Sequence, residues 1–419
     1  MAPAFTLVLA LFTLVNVAVG TPLALAQNIT AVTKTNIAVA SSPSPSLSSP
    51  SSSASVQKKV TVLTKLAAAP PPSAVPVQKK VTVATNPAVV VSPSPSPSTS
   101  LFKVPAQRKQ CEKLVERREW RTLSREEKAS YIDAIKCLQS RPAVKPVIKA
   151  ARSRYDEFQA FHINQADAVH VAGEFLPWHR QYVKNYEAEL HKCGYKGGNP
   201  YWDWTLDTHS DQTFAKSPIF DPETGFGGDG QLFTYKLPAP VPPAAMRIDP
   251  VAFRGCVMDG PFANHTIPLG PGKYIGDHCL TRGIKEEAKE FLNTPMVDYI
   301  MTQTNFGDFR IQVEGLPITP GHRVHDGGHY GVGGEMSNFY SSPGDPLFYL
   351  HHSNLDRMWW NWQQMKPERL YEITGRSATV PPFKNVTLDY PLIMSTLGPS
   401  AVIGDVMDIH SEPNCYTYI

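Results

Sequence analysis

The chain has 419 residues, with 40 Lys+Arg against 37 Asp+Glu and a formal net charge of +3. So mild a balance excludes charge-driven binding to nucleic acid or to an acidic membrane surface. Charged residues are only 18%, and six Cys in a chain this long exclude a disulfide-scaffold miniprotein while leaving room for a few disulfides around a real core.

Residues 1–26 read as a secretory signal. Positions 4–19 are mostly apolar, and small residues follow at Ala18-Val19-Gly20 and Ala24-Leu25-Ala26. The run is too short to span a bilayer comfortably, and no later run reaches the roughly 18 apolar residues a span needs. The mature protein is therefore expected to be secreted and extracellular, with no membrane contact. Some Cys should be paired. The sequons at Asn28, Asn264 and Asn385 fit a secreted glycoprotein.

Residues 27–104 are low-complexity. Ser-Pro-Ser-Pro-Ser occurs at 42–46 and 92–96, and Val-Gln-Lys-Lys-Val-Thr-Val at 56–62 and 77–83. Such a stretch cannot bury enough apolar surface to offset its chain entropy. It is expected to be a disordered Ser/Pro-rich arm or pro-segment. Residues 105–419 hold all six Cys, all seven Trp and all 13 His, and suffice for one sizeable core.

Helical signals dominate the first half of that region. Ser124 and Glu127 form a capping-box pattern, and Tyr131, Ile132, Ile135 and Leu138 follow at helical spacing. Residues 151–162 suggest a second helix, and a third begins near Pro177 and stops near Gly194. Residues 205–275 are rich in Gly and Pro without a period and are expected as long surface loops. Residues 286–302 look helical, split by Pro295. Asp345 as N-cap with Pro346 behind it opens a last long helix. The expected class is mainly α.

Histidine placement is the strongest signal. Eight of 13 fall within 162–179 and 322–352. His325 and His329 are four apart, so on a helix they share one face, about 6 Å apart along the axis. That geometry can grip one metal ion, and His352 could supply a third ligand. Asp356, four beyond His352, could accept the free N–H of that ring and fix its tautomer. His162, His170 and His179 make a second group of three. With no carboxylate interleaved, six neutral nitrogens suit two copper ions, and zinc also tolerates them.

These residues resemble the type 3 copper proteins: tyrosinases, catechol oxidases and, more distantly, molluscan haemocyanins. One motif is His162, His170 and His179 within Gly173-Glu174-Phe175-Leu176-Pro177-Trp178-His179-Arg180, followed by Pro200-Tyr201-Trp202-Asp203-Trp204. The other runs from His325 and His329 through Gly333-Gly334-Glu335-Met336 to Asp345-Pro346-Leu347-Phe348-Tyr349-Leu350-His351-His352. The chain closes on Tyr416-Thr417-Tyr418. The resemblance covers about 105–419 and is nearest to the short secreted ascomycete enzymes.

It implies a four-helix bundle holding a dinuclear copper site. Copper A would be held by His162, His170 and His179, and copper B by His325, His329 and His352. His322 and His351 would not be ligands. Phe348 matches the family's gate residue, and Asp326 and Tyr330 line the substrate entrance. Many tyrosinases carry Asn at the position of Asp326, with an upstream Glu for which Glu314 stands here. Asp326 would act as a base or only cap its helix. The implied activity is oxidation of ortho-diphenols or ortho-aminophenols by O₂, with weak or variable monophenol hydroxylation. A true tyrosinase and a haemocyanin-like O₂ carrier are the alternatives.

Overall fold

The computed structural model describes residues 108–209, 211–239 and 244–419. The expected signal (1–26), the arm (27–104) and the Asn28 sequon lie outside them. The described body is mainly α. Its helices are α1 (Arg125–Ser140), α2 (Arg154–Val169), α3 (Phe175–Lys192), α4 (Thr294–Met301), α5 (Phe306–Glu314), α6 (Val324–Val332) and α7 (Leu347–Gln364).

Their ends follow local chemistry. Ser124 accepts from the Glu127 amide and Glu127 returns the bond, which closes the expected capping box on α1. Tyr131, Ile132, Ile135 and Leu138 are buried. Helix α2 starts later and runs further than expected. Ser153 and Asp156 make a second capping box, so the helix begins at Arg154 and carries His162 in its middle. Pro295 sits in the first turn of α4 and separates it from a short 3-10 turn at Glu286–Glu290. At α7 the N-cap falls on Pro346, one residue later than expected; Asp345 Oδ1 still accepts the Leu347 amide at 3.0 Å, while Arg282 grips the same carboxylate at 2.8 and 3.0 Å. Both residues of that bidentate pair are fully buried.

Helices α2, α3, α6 and α7 form the bundle around the histidines. Aromatic rings fill it. Trp178 stacks on Tyr182 at 4.9 Å, and Tyr186 on Tyr349 at 3.4 Å. The Gly/Pro-rich stretch is more ordered than a surface loop. It contributes Phe214, Ile219, Phe220, Phe226, Val257 and Phe262 to the core. Short antiparallel ladders join Gly230–Leu232 to Gly255–Val257 and Thr266–Leu269 to Ile275–Cys279. The disulfide Cys256–Cys279 ties the first ladder to the second, joining Gly255–Val257 to Ile275–Cys279. Cys137–Cys193 links α1 to the end of α3, and Cys111–Cys415 links the two ends of the body. There Val115–Arg117 pairs in parallel with Tyr416–Tyr418. No described helix is long and apolar enough to cross a membrane.

Candidate metal centre

The helices bring six histidines into two groups. His162 projects from the middle of α2, His170 caps its C-terminus, and His179 lies in the second turn of α3. Their ligand nitrogens lie within 4.8 Å of one another. His325 and His329 share a face of α6, and His352 comes from α7; this group meets the same 4.8 Å limit. The groups adjoin, with the His179 and His352 rings stacked at 4.4 Å.

Five of the rings are oriented by main-chain carbonyls. Nδ1 of His162 donates to Tyr340 O at 2.7 Å, of His170 to Ala166 O at 2.9 Å, and of His179 to Phe175 O at 2.8 Å. Nδ1 of His325 donates to Glu314 O at 3.0 Å and of His329 to Met336 O at 2.7 Å. A carbonyl only accepts, so the proton sits on Nδ1 and the Nε2 lone pair points inward. Nε2 of His162, His179 and His325 is buried without a partner. Nε2 of His329 and His352 face each other at 3.3 Å. Buried lone pairs left unmatched are costly, and converging ones need a shared cation. The donor set therefore fits two metal ions held by neutral imidazoles. Burial favours the neutral state: it holds His170 and His329 at about 4 and the other four rings well below their ordinary value.

His351 spends both nitrogens elsewhere. Its Nδ1 accepts from Trp204 Nε1 at 3.2 Å and its Nε2 donates to His325 O at 3.0 Å. His322 pairs with Asp326. All six Cys form disulfides, so none competes with the histidines as a ligand.

A cavity of about 200 Å³ opens onto His170, His325 and His329. Asp326, Tyr330 and Glu314 line it, with Arg247, Asn338 and Phe339. Lys285 Nζ lies 3.9 Å from the centre of the Tyr330 ring. Asp326 is committed locally: Oδ1 caps α6 by accepting the Arg323 amide at 2.8 Å, and Oδ2 meets His322. Glu314 is committed too. One oxygen takes the Val171 amide and the other Arg310 at 2.6 Å. Burial still lifts its carboxyl to about 7. Those bonds hold Val171 at φ 57°, a left-handed conformation that a β-branched residue avoids, directly after His170.

Two sequence expectations are corrected. Phe348 does not stand at the entrance. It is fully buried, 4.1 Å from the His352 ring and 5.2 Å from His162, because the first turn of α7 points it beneath the rings. The aromatic ring at the mouth is Phe339, 4.6 Å from His170. No signal in the sequence singled Phe339 out. Asp356 shares a helix face with His352 but serves other groups. Arg180, Tyr416 Oη at 2.7 Å, Tyr418 Oη at 2.6 Å and Arg117 at 3.4 Å converge on its carboxylate. Two buried guanidinium ions attract a carboxylate more strongly than a neutral imidazole does.

A four-helix bundle with two three-histidine pockets side by side fits a pair of metal ions beside an open cavity. Comparison with known proteins specifies it further. The family description "Common central domain of tyrosinase" matches residues 152–365. Tyrosinase P of Aspergillus terreus is 34% identical over 330 residues, covering 72% of this chain and 91% of that one. N-acetyl-6-hydroxytryptophan oxidase of Emericella nidulans is 32% identical over 338 residues, covering 72% and 91%. A single-substitution variant of the polyphenol oxidase from Thermothelomyces thermophila aligns with a TM-score of 0.64 at 33% identity, covering 74% and 90%. The chain belongs to the tyrosinase family of type 3 copper proteins and is an oxidoreductase.

Proposed function

We propose that the protein is a secreted, two-copper oxidase of ortho-diphenols or ortho-aminophenols, with weak or variable monophenol hydroxylation. One observation carries the reading: a cavity sized for one aromatic ring reaches both groups of inward-facing imidazoles. His162, His170 and His179 would hold one copper, and His325, His329 and His352 the other. Copper would supply one-electron exchange at each ion, which zinc cannot. Across a full cycle two diphenols give four electrons and four protons to O₂, leaving two quinones and two waters.

The chain's part is positioning. Carbonyl-fixed rings keep the ligand set rigid before any ion arrives. Val171, Phe339 and Leu316 give the cavity apolar walls that orient a phenol ring by its flat face. Weak monophenol activity follows from the two carboxylates. Asp326 and Glu314 already accept protein donors, so neither is a free base for a phenolic proton. A carrier would exclude phenols, and the open cavity favours the oxidase. The three disulfides support secretion.

Oxygen uptake by the copper-loaded protein tests this with catechol and then phenol. Uptake on catechol at least about tenfold above phenol is expected from the missing general base. Equal uptake on both would make it a tyrosinase and refute the reading of Asp326 and Glu314.

A further inference from the structure

We propose that Arg247 selects diphenols that carry a carboxylate on the substituent remote from the hydroxyls; the proposal rests on the cavity being the diphenol site. Arg247 is exposed at the cavity mouth. Its guanidinium carbon lies 3.8 Å from the centre of the Phe339 ring, and that ring lies 4.6 Å from His170. A column of arginine, phenylalanine and histidine thus runs from solvent to the metal-facing rings. A guanidinium lying flat on an aromatic face keeps its N–H edge free to meet a carboxylate side-on.

Every other charge lining the cavity is answered. Asp326 meets His322, Glu314 meets Arg310, and Asp249 has Lys285 at 3.9 Å. Nearby Asp167 is held by Lys273 and by Tyr340 Oη, both at 2.8 Å. Arg247 has no carboxylate partner among the described residues. Asp167 feels that charge at longer range but is already held by Lys273, so the Arg247 guanidinium stands without an ion pair where the far end of a bound ring must emerge.

The placement is built. Arg247 sits at φ 48°, in the left-handed region that side-chain-bearing residues avoid. Such strain persists only where the surroundings impose it. Here Asn338, almost fully buried, donates to Met246 O at 3.3 Å and Arg247 O at 3.2 Å. Its own Oδ1 accepts the Tyr340 and Ser341 amides at 2.9 and 3.1 Å. Tyr340 O in turn orients His162. The arginine loop is therefore tied to the segment that fixes a metal-facing ring.

The test is oxygen uptake by the copper-loaded protein on dihydrocaffeate, its neutral methyl ester and dopamine, read as ratios of kcat/KM. The native protein should prefer the acid to its ester by about fivefold, through KM, and salt should shrink the ratio. Arg247→Gln should bring the ratio near unity, Arg247→Lys should keep part of it, and Arg247→Glu should turn preference toward dopamine. An acid-to-ester ratio near unity in the native protein would overturn the proposal, as would a ratio unmoved by Arg247→Gln. No uptake on any of the three compounds would sink the diphenol reading itself, and this proposal with it.

Discussion

At the scale of single residues, two phenylalanines near the histidines do different work, and their depth separates them. Phe348 is fully buried under four metal-facing rings, whereas Phe339 is half-buried at the mouth. Phe348→Ala should open an internal cavity and destabilise by about 3–5 kcal/mol. Phe339→Ala should cost less than about 1.5 kcal/mol and act mainly on KM, because it removes a wall against which substrate lies. Urea midpoints with kinetics on catechol check both. A KM change confined to Phe348→Ala would restore it as the gate. Sequence alone could not separate the two. A helix-start position says nothing of depth, and Phe339 lies in a segment without periodicity.

At the scale of elements, capping chemistry was the most legible feature. Ser124 with Glu127 and Asp345 at the start of α7 declared boundaries through local bonds, and Pro295 declared one by fitting only the first turn of α4. The Ser153/Asp156 box was equally local, and reading it would have corrected the start of α2. The six histidines were legible because their spacing is unusual for any structural purpose. What escaped depends on distant partners. Asp356 lies on the right face of α7 for His352, yet it locks α7 to α3 and to the C-terminal strand through Arg180, Arg117, Tyr416 and Tyr418. Arg117 and Arg180 are fully buried. Asp356→Ala takes from Arg180 its one carboxylate partner, while Arg117 keeps Glu187 at 2.8 Å, and should cost about 3–5 kcal/mol in chemical denaturation. A loss below about 1 kcal/mol would show that the network is not what holds the strand. Residues 205–275 were likewise illegible, because a disulfide, short ladders and the Arg282–Asp345 pair order them.

At the scale of the whole molecule, a helical frame surrounds two groups of buried histidines whose unmatched lone pairs are costly. In the metal-free protein His170 and His329 titrate at about 4, against about 6.5 in the unfolded chain. Between those values the unfolded chain binds protons that the folded one refuses, so stability falls as pH falls. The other four rings act in the same direction. Glu314 and Glu174, lifted by burial to about 7, act with the opposite sign: their folded forms hold protons that unfolded carboxylates release, so they lose stability as pH rises above about 4.5. His265 and His351 are lowered by burial as well, and Glu119 is raised, so eight rings against three carboxylates leave the histidines in command. The melting temperature of metal-free protein should drop from about pH 7 to about pH 5, with metal-loaded protein more stable than metal-free throughout. A metal-free melting temperature that rises over that window would reverse the assignment.

The central claim is that two groups of three neutral histidines hold a pair of copper ions. Copper bound per chain, measured by equilibrium dialysis of the metal-free protein and elemental analysis, tests it most directly. Two coppers should bind to the native chain, and close to one should remain at the same free copper when His179→Gln or His329→Gln removes one ligand of either group. One copper or none on the native chain, or two still bound as tightly after either substitution, would contradict the account.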